Sequence, residues 1–177
     1  MKEEALEVLT HRRSVRAYKD TPVPDELIER IVEAGMYAPT AINKMSPQIV
    51  VVKTPDYLAR VKELNAGTEN IQHDPYYGAP VVILVLHDPN ILDRDNLGDL
   101  DAAAVCTNML NAAYAVGLDT CWINRAQAMF KTEEGKQLLR EWGLPENLNG
   151  VASIALGYRN CDYPDAKPRR EGYAIYV

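Results

Sequence analysis

The chain has 177 residues, 47% of them hydrophobic, and a formal net charge of −6. These values fit one domain, 1–177, with a sizeable core, and they argue against broad electrostatic binding to nucleic acid or anionic membrane. No apolar run approaches the ~20 residues needed to cross a bilayer, and Met1-Lys2-Glu3-Glu4 lacks the apolar core of a signal peptide, so a cytoplasmic protein is expected.

Taken in order, Glu4-Ala5-Leu6-Glu7-Val8-Leu9 reads at helical spacing, and Thr21-Pro22-Val23-Pro24 then forces extended chain. Between them lies His11-Arg12-Arg13-Ser14-Val15-Arg16-Ala17-Tyr18, three arginines within five residues of an acidic protein. Arginine presents a rigid fork that fits phosphate oxygens two at a time, and serine adds a short donor. The plain alternative is a solvated face that complements the helix dipole. Asp25 is expected to cap a helix carrying Leu27, Ile28, Ile31 and Val32 on one face, which must stop by Ala38 because Pro39 follows. Residues 39–47 then form a loop rich in short hydrogen-bonding side chains.

Gln48 to Lys53 is β-branched and short, hence a strand, and Thr54-Pro55-Asp56 opens a helix. Asn65 to Tyr77 is polar and reads as loop. Pro80 to Leu86 is a strand buried on both faces, and adjacent His87 and Asp88 at its end point apart, so they make no catalytic dyad. Leu97 to Val116 is the most hydrophobic helix candidate, apolar all round, which places it in the core or at a subunit interface. Gly117 closes it before a strand at Thr120 to Ile123. Thr132 caps a helix through Trp142, and Val151 to Leu156 is the last strand. Residues 160–177 form an extended tail with Lys167, Arg169 and apolar Tyr173, Ile175, Tyr176 and Val177. Cys106, Cys121 and Cys161 show no metal-ligand spacing and are expected to be buried or unreactive thiols.

No paired carboxylates, nucleophile elbow, histidine ligand pair or Gly-rich phosphate loop occurs in the chain. A protein without its own acid, base or nucleophile is expected to rely on an organic cofactor. Two basic groups far apart in sequence, Arg12-Arg13-Ser14 and Lys167 with Arg169, could converge on one phosphate.

An ordered set of segments carries a family resemblance. Residues 12–18, Pro22-Val23-Pro24, Ala38-Pro39-Thr40-Ala41-Ile42-Asn43, Gly78-Ala79-Pro80, Asp101 to Asn108, Gly117 to Ile123, Leu156-Gly157-Tyr158 and Lys167-Pro168-Arg169 together resemble the nitroreductase family of FMN-dependent NAD(P)H oxidoreductases. The resemblance implies an α+β fold, a mixed and mainly antiparallel sheet flanked by helices, in a homodimer with FMN at the interface. It implies ping-pong hydride transfer from NADH or NADPH through FMN to a nitroaromatic, a quinone or a similar acceptor. Arg12, Arg13, Ser14, Lys167 and Arg169 would hold the phosphate, and Arg16 would place its cation near the pyrimidine edge of the ring. Thr40 and Asn43 would reach the flavin of the partner subunit, while Trp122, Ile123 and Asn124 would run along the other ring edge. The chain departs from the family at Met45-Ser46-Pro47, where Gln-Pro-Trp is common. Three other readings remain: a dehalogenating or flavin-destroying relative, a non-enzymatic flavin or nucleotide sensor, and a nucleic-acid binder.

Overall fold

A computed structural model describes residues 2–68, 70–92 and 94–177. Four strands form one sheet in the order β1-β2-β4-β3: β1 (Pro47–Val52), β2 (Val81–His87), β3 (Asp119–Ile123) and β4 (Asn149–Gly157). All three pairings are antiparallel, with Pro47 opposite His87, Val81 opposite Leu156 and Asp119 opposite Gly157. The expected parallel component is reduced to one isolated bridge, between Ser14 and Thr120.

The continuous apolar run of β2 follows from helices covering both faces of the sheet. Val82, Leu84 and Leu86 enter one core with α3 (Pro55–Gly67), α5 (Ala126–Met129) and α6 (Glu133–Glu141). Val81, Ile83 and Val85 enter the other with α2 (Asp25–Met36) and α4 (Leu97–Ala115). Side chains alternate across a strand, so a central strand between two cores is apolar at every position.

α1 (Lys2–His11) packs on α4, and a 3-10 turn spans Ala41–Asn43. α4 buries Ala102, Val105, Cys106, Met109, Leu110 and Ala113 but leaves Leu100 and Thr107 exposed and Ala103, Ala104 and Asn111 only half-covered. Gly117, at φ 82°, supplies the left-handed turn that ends α4. Thr132 caps α6 as expected, its Oγ1 accepting the Gly135 N–H at 3.0 Å.

Several boundaries differ from expectation. Asp25 is the first residue of α2 rather than its cap; Pro24 precedes it, and the Asp25 carboxylate pairs with Lys53 Nζ at 2.6 Å. α3 continues through Asn65 to Gly67, where a loop was expected, because Asn65 is fully buried against α5. Cys106 and Cys121 are buried, but Cys161 is exposed. His87 does find a carboxylate, Asp99 rather than Asp88, through Nδ1 at 2.8 Å, and Asn149 bonds its Nε2 at 3.2 Å. Among the described residues no helix is long and apolar enough to cross a membrane, and no group of His, Cys, Asp or Glu side chains could hold a metal ion.

Candidate functional site

The basic stretch leaves the end of α1 and lies along the outer edge of β3. Val15 N–H donates to Thr120 O at 3.0 Å, and buried Val15 and Tyr18 fix the segment while Arg16 between them faces out. The Tyr18 hydroxyl donates to Val15 O at 2.9 Å, closing a tight corner. Burial first, and then the neighbouring Cys121 and Asp119, raise the Tyr18 phenol far above its ordinary value, so it stays a neutral donor. Burial likewise raises the Cys121 thiol, although Arg16, Ser14 and Arg12 all pull it down. That balance places Cys121 beside all three residues of the basic strand and makes it an apolar wall rather than a thiolate.

The three arginines divide in role. Arg13 turns back on α1, its Nη1 donating to Thr10 O and Arg12 O at 2.8 Å each, so it satisfies carbonyls that the helix end leaves open. The side chains of Arg12 and Arg16 make no hydrogen bond or ion pair among the described residues, and neither do those of Lys167 and Arg169. Two buried polar atoms next to Ser14 also lack partners, Arg13 Nε and Thr120 Oγ1. Buried polar atoms are almost always bonded, so unpaired donors beside free guanidinium groups mark a place suited to an anion.

The tail begins on the same edge. Lys19 N–H donates to Tyr158 O and Asn160 N–H to Ala17 O, both at 2.8 Å, and Tyr163 reaches back to the basic strand. From residue 165 onward every residue is exposed, and Lys167 and Arg169 touch neither Arg12 nor Ser14. The far end of β3 carries the other expected residues. Trp122 is half-buried on the α4 side, Ile123 is buried on the opposite face, and Asn124 is exposed, accepting the Trp122 Nε1–H at 3.4 Å.

A buried polar chain behind this strand end gave no signal in the sequence. Arg125 Nε donates to Asn65 Oδ1 at 3.0 Å, Asn65 Nδ2 reaches Met129 Sδ at 3.2 Å, and the Tyr76 hydroxyl meets Ser153 Oγ at 3.1 Å. Ser153 Oγ lies 3.5 Å from Ile123 O, so the chain backs the turn that follows β3. Burial pushes the Tyr76 phenol up to about 12.

The loop of Thr40 and Asn43 lies elsewhere. Asp101 Oδ1, at the start of α4, accepts the Ala41 N–H at 2.8 Å, and Thr40 Oγ1 accepts the Met45 N–H at 3.2 Å. Ile42, Asn43 and Met45 all have positive φ, at 54°, 57° and 52°. A β-branched residue is strongly disfavoured there, and such strain concentrates at functional sites. Ile42 is moreover 74% exposed and Tyr37 81%. α4 measures the separation of the two regions. Asp101 holds the loop, whereas Tyr114, thirteen residues on, stacks on Tyr163 beside the basic strand. At 1.5 Å per residue that is about 20 Å, so one chain does not bring Thr40 and Asn43 to Arg12 and Ser14.

An antiparallel sheet wrapped by helices, with a phosphate-suited basic strand along its edge, defines a protein that holds a phosphorylated cofactor. Comparison with known proteins gives the family. Residues 9–158 match the profile of the Nitroreductase family, and the chain belongs to it. It is 26% identical over 185 residues to the FMN reductase [NAD(P)H] of Bacillus subtilis, covering 97% of this chain and 72% of that one. The crystal structure of a nitroreductase with bound FMN from Bacteroides fragilis superposes with a TM-score of 0.86 at 27% identity, over 98% of each chain. A nitroreductase with bound FMN from Desulfitobacterium hafniense gives 0.85 at 25% identity over the whole of both.

Proposed function

We propose that this protein is an FMN-dependent NAD(P)H oxidoreductase that works as a homodimer. The observation that carries the reading is the unpaired Arg12 guanidinium together with the buried unpaired Arg13 Nε and Thr120 Oγ1 beside Ser14, in a chain of net charge −6. When bound, FMN supplies two-electron chemistry, taking hydride from NADH or NADPH and passing it to an acceptor such as a nitroaromatic or a quinone.

The chain's own task is to bind and orient that group. Arg12 and Ser14, joined by Lys167 and Arg169, hold the phosphate, while Arg13 fixes the helix end from which they project. Arg16 presents a cation to the ring system. From Thr120, beside Ser14, to Asn124, just past the end of β3, is roughly 14 Å at strand rise, which suits an elongated ligand lying along the strand with its ring toward residues 122–124. Asp101 holds the strained Thr40–Asn43 turn for the second copy's flavin.

The homodimer has support beyond this geometry. Leu6 and Leu9 on α1, Leu100 on α4, Tyr37, Ile42 and the tail residues Tyr173, Ile175 and Tyr176 are all exposed in the single chain. So many large apolar side chains left in solvent suit burial at a subunit interface. We read the chain as one domain with 160–177 as its tail, in the cytoplasm.

The test is an absorbance spectrum of the purified protein, identification of the released flavin by chromatography, and light scattering. Flavin absorbance, FMN rather than FAD, and a dimer that oxidises NADH or NADPH are expected. Colourless protein that ignores micromolar FMN would overturn the reading, and a stable flavin-loaded monomer would overturn the two-copy site. Flavin-loaded dimer that oxidises neither nicotinamide would point to the sensor instead.

A further inference from the structure

The last side chain of the tail that is fixed to the body of the protein is Tyr163, and it is fixed to the basic strand. Its hydroxyl accepts the Arg13 N–H at 2.9 Å and donates to His11 O at 3.0 Å, so one phenol bridges the two peptide groups that flank Arg12. Its ring lies between the Arg159 guanidinium, 5.0 Å from the centroid, and the Tyr114 ring, 6.0 Å away and inclined by 23°. Arg159 in turn stands 3.5 Å from Asp119 Oδ2 at the head of β3, and its backbone bridges Tyr18. Three elements therefore meet at Tyr163: the end of α1, the end of α4 and the start of β3.

Among the described residues, no hydrogen bond or ion pair ties the chain to the body beyond Tyr163. The one ring contact of the last residues is internal, Arg170 over Tyr173 at 5.3 Å. Lys167 lies four residues past Tyr163 and Arg169 six. Extended chain spans up to ~3.5 Å per residue, so the two cations can sweep about 14 Å and 21 Å from a point already touching Arg12. Pro168 between them narrows the range of that sweep by fixing its own φ.

We propose that Tyr163 is a positioning residue for the phosphate of the cofactor: its hydroxyl ties the tail to the arginine strand so that Lys167 and Arg169 are delivered to the anion held by Arg12 and Ser14. This rests on the phosphate reading above and adds to it the residue that makes two clusters, more than 150 positions apart in sequence, act as one site. A purely structural tyrosine would stabilise the fold without distinguishing one flavin from another.

The experiment is a binding cycle on the full-length protein, freed of flavin and titrated separately with FMN and with riboflavin, which lacks the phosphate. Tyr163→Phe keeps the ring contacts and removes both hydrogen bonds. It is expected to weaken FMN about tenfold and riboflavin less than about twofold. Lys167→Ala with Arg169→Ala should weaken FMN by about ten- to a hundredfold. Adding Tyr163→Phe to that pair should change FMN affinity by less than about twofold, because the hydroxyl acts only through the cations it positions. Trypsin gives a second readout: FMN, and not riboflavin, should slow cleavage after Arg169 in the wild type, the bond after Lys167 being blocked by Pro168, and Tyr163→Phe should abolish that protection. Circular dichroism confirms that each variant is folded. Equal weakening of both flavins by Tyr163→Phe, or a full multiplicative loss in the triple variant, overturns the proposal and leaves the phosphate assignment standing. A wild type that binds FMN and riboflavin equally overturns both.

Discussion

Arg12 and Arg13 are adjacent and chemically identical, yet the structure assigns them opposite tasks, which makes their alanine variants a direct test. Arg13→Ala deletes two guanidinium bonds of 2.8 Å, to Thr10 O and Arg12 O, at the open end of α1. Hydrogen bonds to a charged group contribute up to about 1.5–3 kcal/mol each. Arg13 is only half-buried, and its removal also relieves the unpaired Nε, so the net loss should fall near 1–2 kcal/mol for the pair. For a domain of this size each kcal/mol moves the midpoint by about 2–4 °C, giving a drop of roughly 2–8 °C. Arg12→Ala breaks no bond among the described residues and should move the flavin-free midpoint by less than about 2 °C. For FMN affinity the order reverses: Arg12→Ala should lose at least about tenfold and Arg13→Ala only a few-fold. Both variants remove one positive charge, so the general field of the protein is matched. Thermal unfolding of flavin-free protein and fluorescence titration with FMN provide the two readouts. The assignment fails if Arg13→Ala leaves the midpoint unchanged and releases FMN as strongly as Arg12→Ala, since its fork would then have to swing to the ligand.

Two further predictions concern the body of the fold. Gly135→Ala would drive a Cβ into Met129 O, a backbone atom that cannot move without shifting α5, so a loss of more than about 3 kcal/mol is expected in denaturant unfolding; Gly67→Ala, with nothing nearby, should be neutral or stabilise by about 0.4–1 kcal/mol. Asp119 is buried at the head of β3, and desolvation raises its carboxyl above the ordinary value although Arg159 partly offsets this. The folded state therefore holds this proton more tightly than the unfolded chain, so its contribution is favourable below the unfolded value near ~3.9 and is lost as pH rises through the folded one. Asp119→Asn should gain stability relative to wild type between pH 4 and pH 7; a midpoint difference that stays constant or moves the other way refutes this.

What could be read from the sequence followed from how local each cause is. The capping of α6 by Thr132 needs only residues 132–135, and the end of α4 needs only Gly117, so both were visible. The β2 run showed burial on both faces but not the strand direction, because helices on two sides enforce the same composition on antiparallel and parallel strands. The extension of α3 was hidden because Asn65 reads as a helix breaker by its amide. Its actual environment is set by Met129 and Arg125, 64 and 60 residues away. Arg13 resembled Arg12 for a related reason: which of two neighbouring guanidinium groups folds back on the helix depends on backbone direction at its end, and composition does not record that.

The strained turn at Ile42 takes the argument beyond one chain. Positive φ at an exposed isoleucine costs on the order of 1–3 kcal/mol. Within the subunit it is held by side-chain bonds from Asp101 and Thr40 and by two backbone bonds of 3.0 Å, Asn43 N–H to Thr40 O and Lys44 N–H to Ala41 O. At about 1 kcal/mol each, four such bonds offset the strain without by themselves giving the exposed isoleucine a role. The turn also faces away from the basic strand, about 20 Å off along α4, so the single chain draws no evident gain from it. On the proposed two-copy site, a second copy packed against the exposed stripe of α4 and the apolar residues Tyr37 and Ile42 would bring this turn to that copy's flavin. The conformation of residues 40–45 is, on this account, built for a contact that the isolated subunit lacks. On the same proposal, the loop at Thr40 and Asn43 shows no purpose in its own sequence because its partner would lie in another molecule.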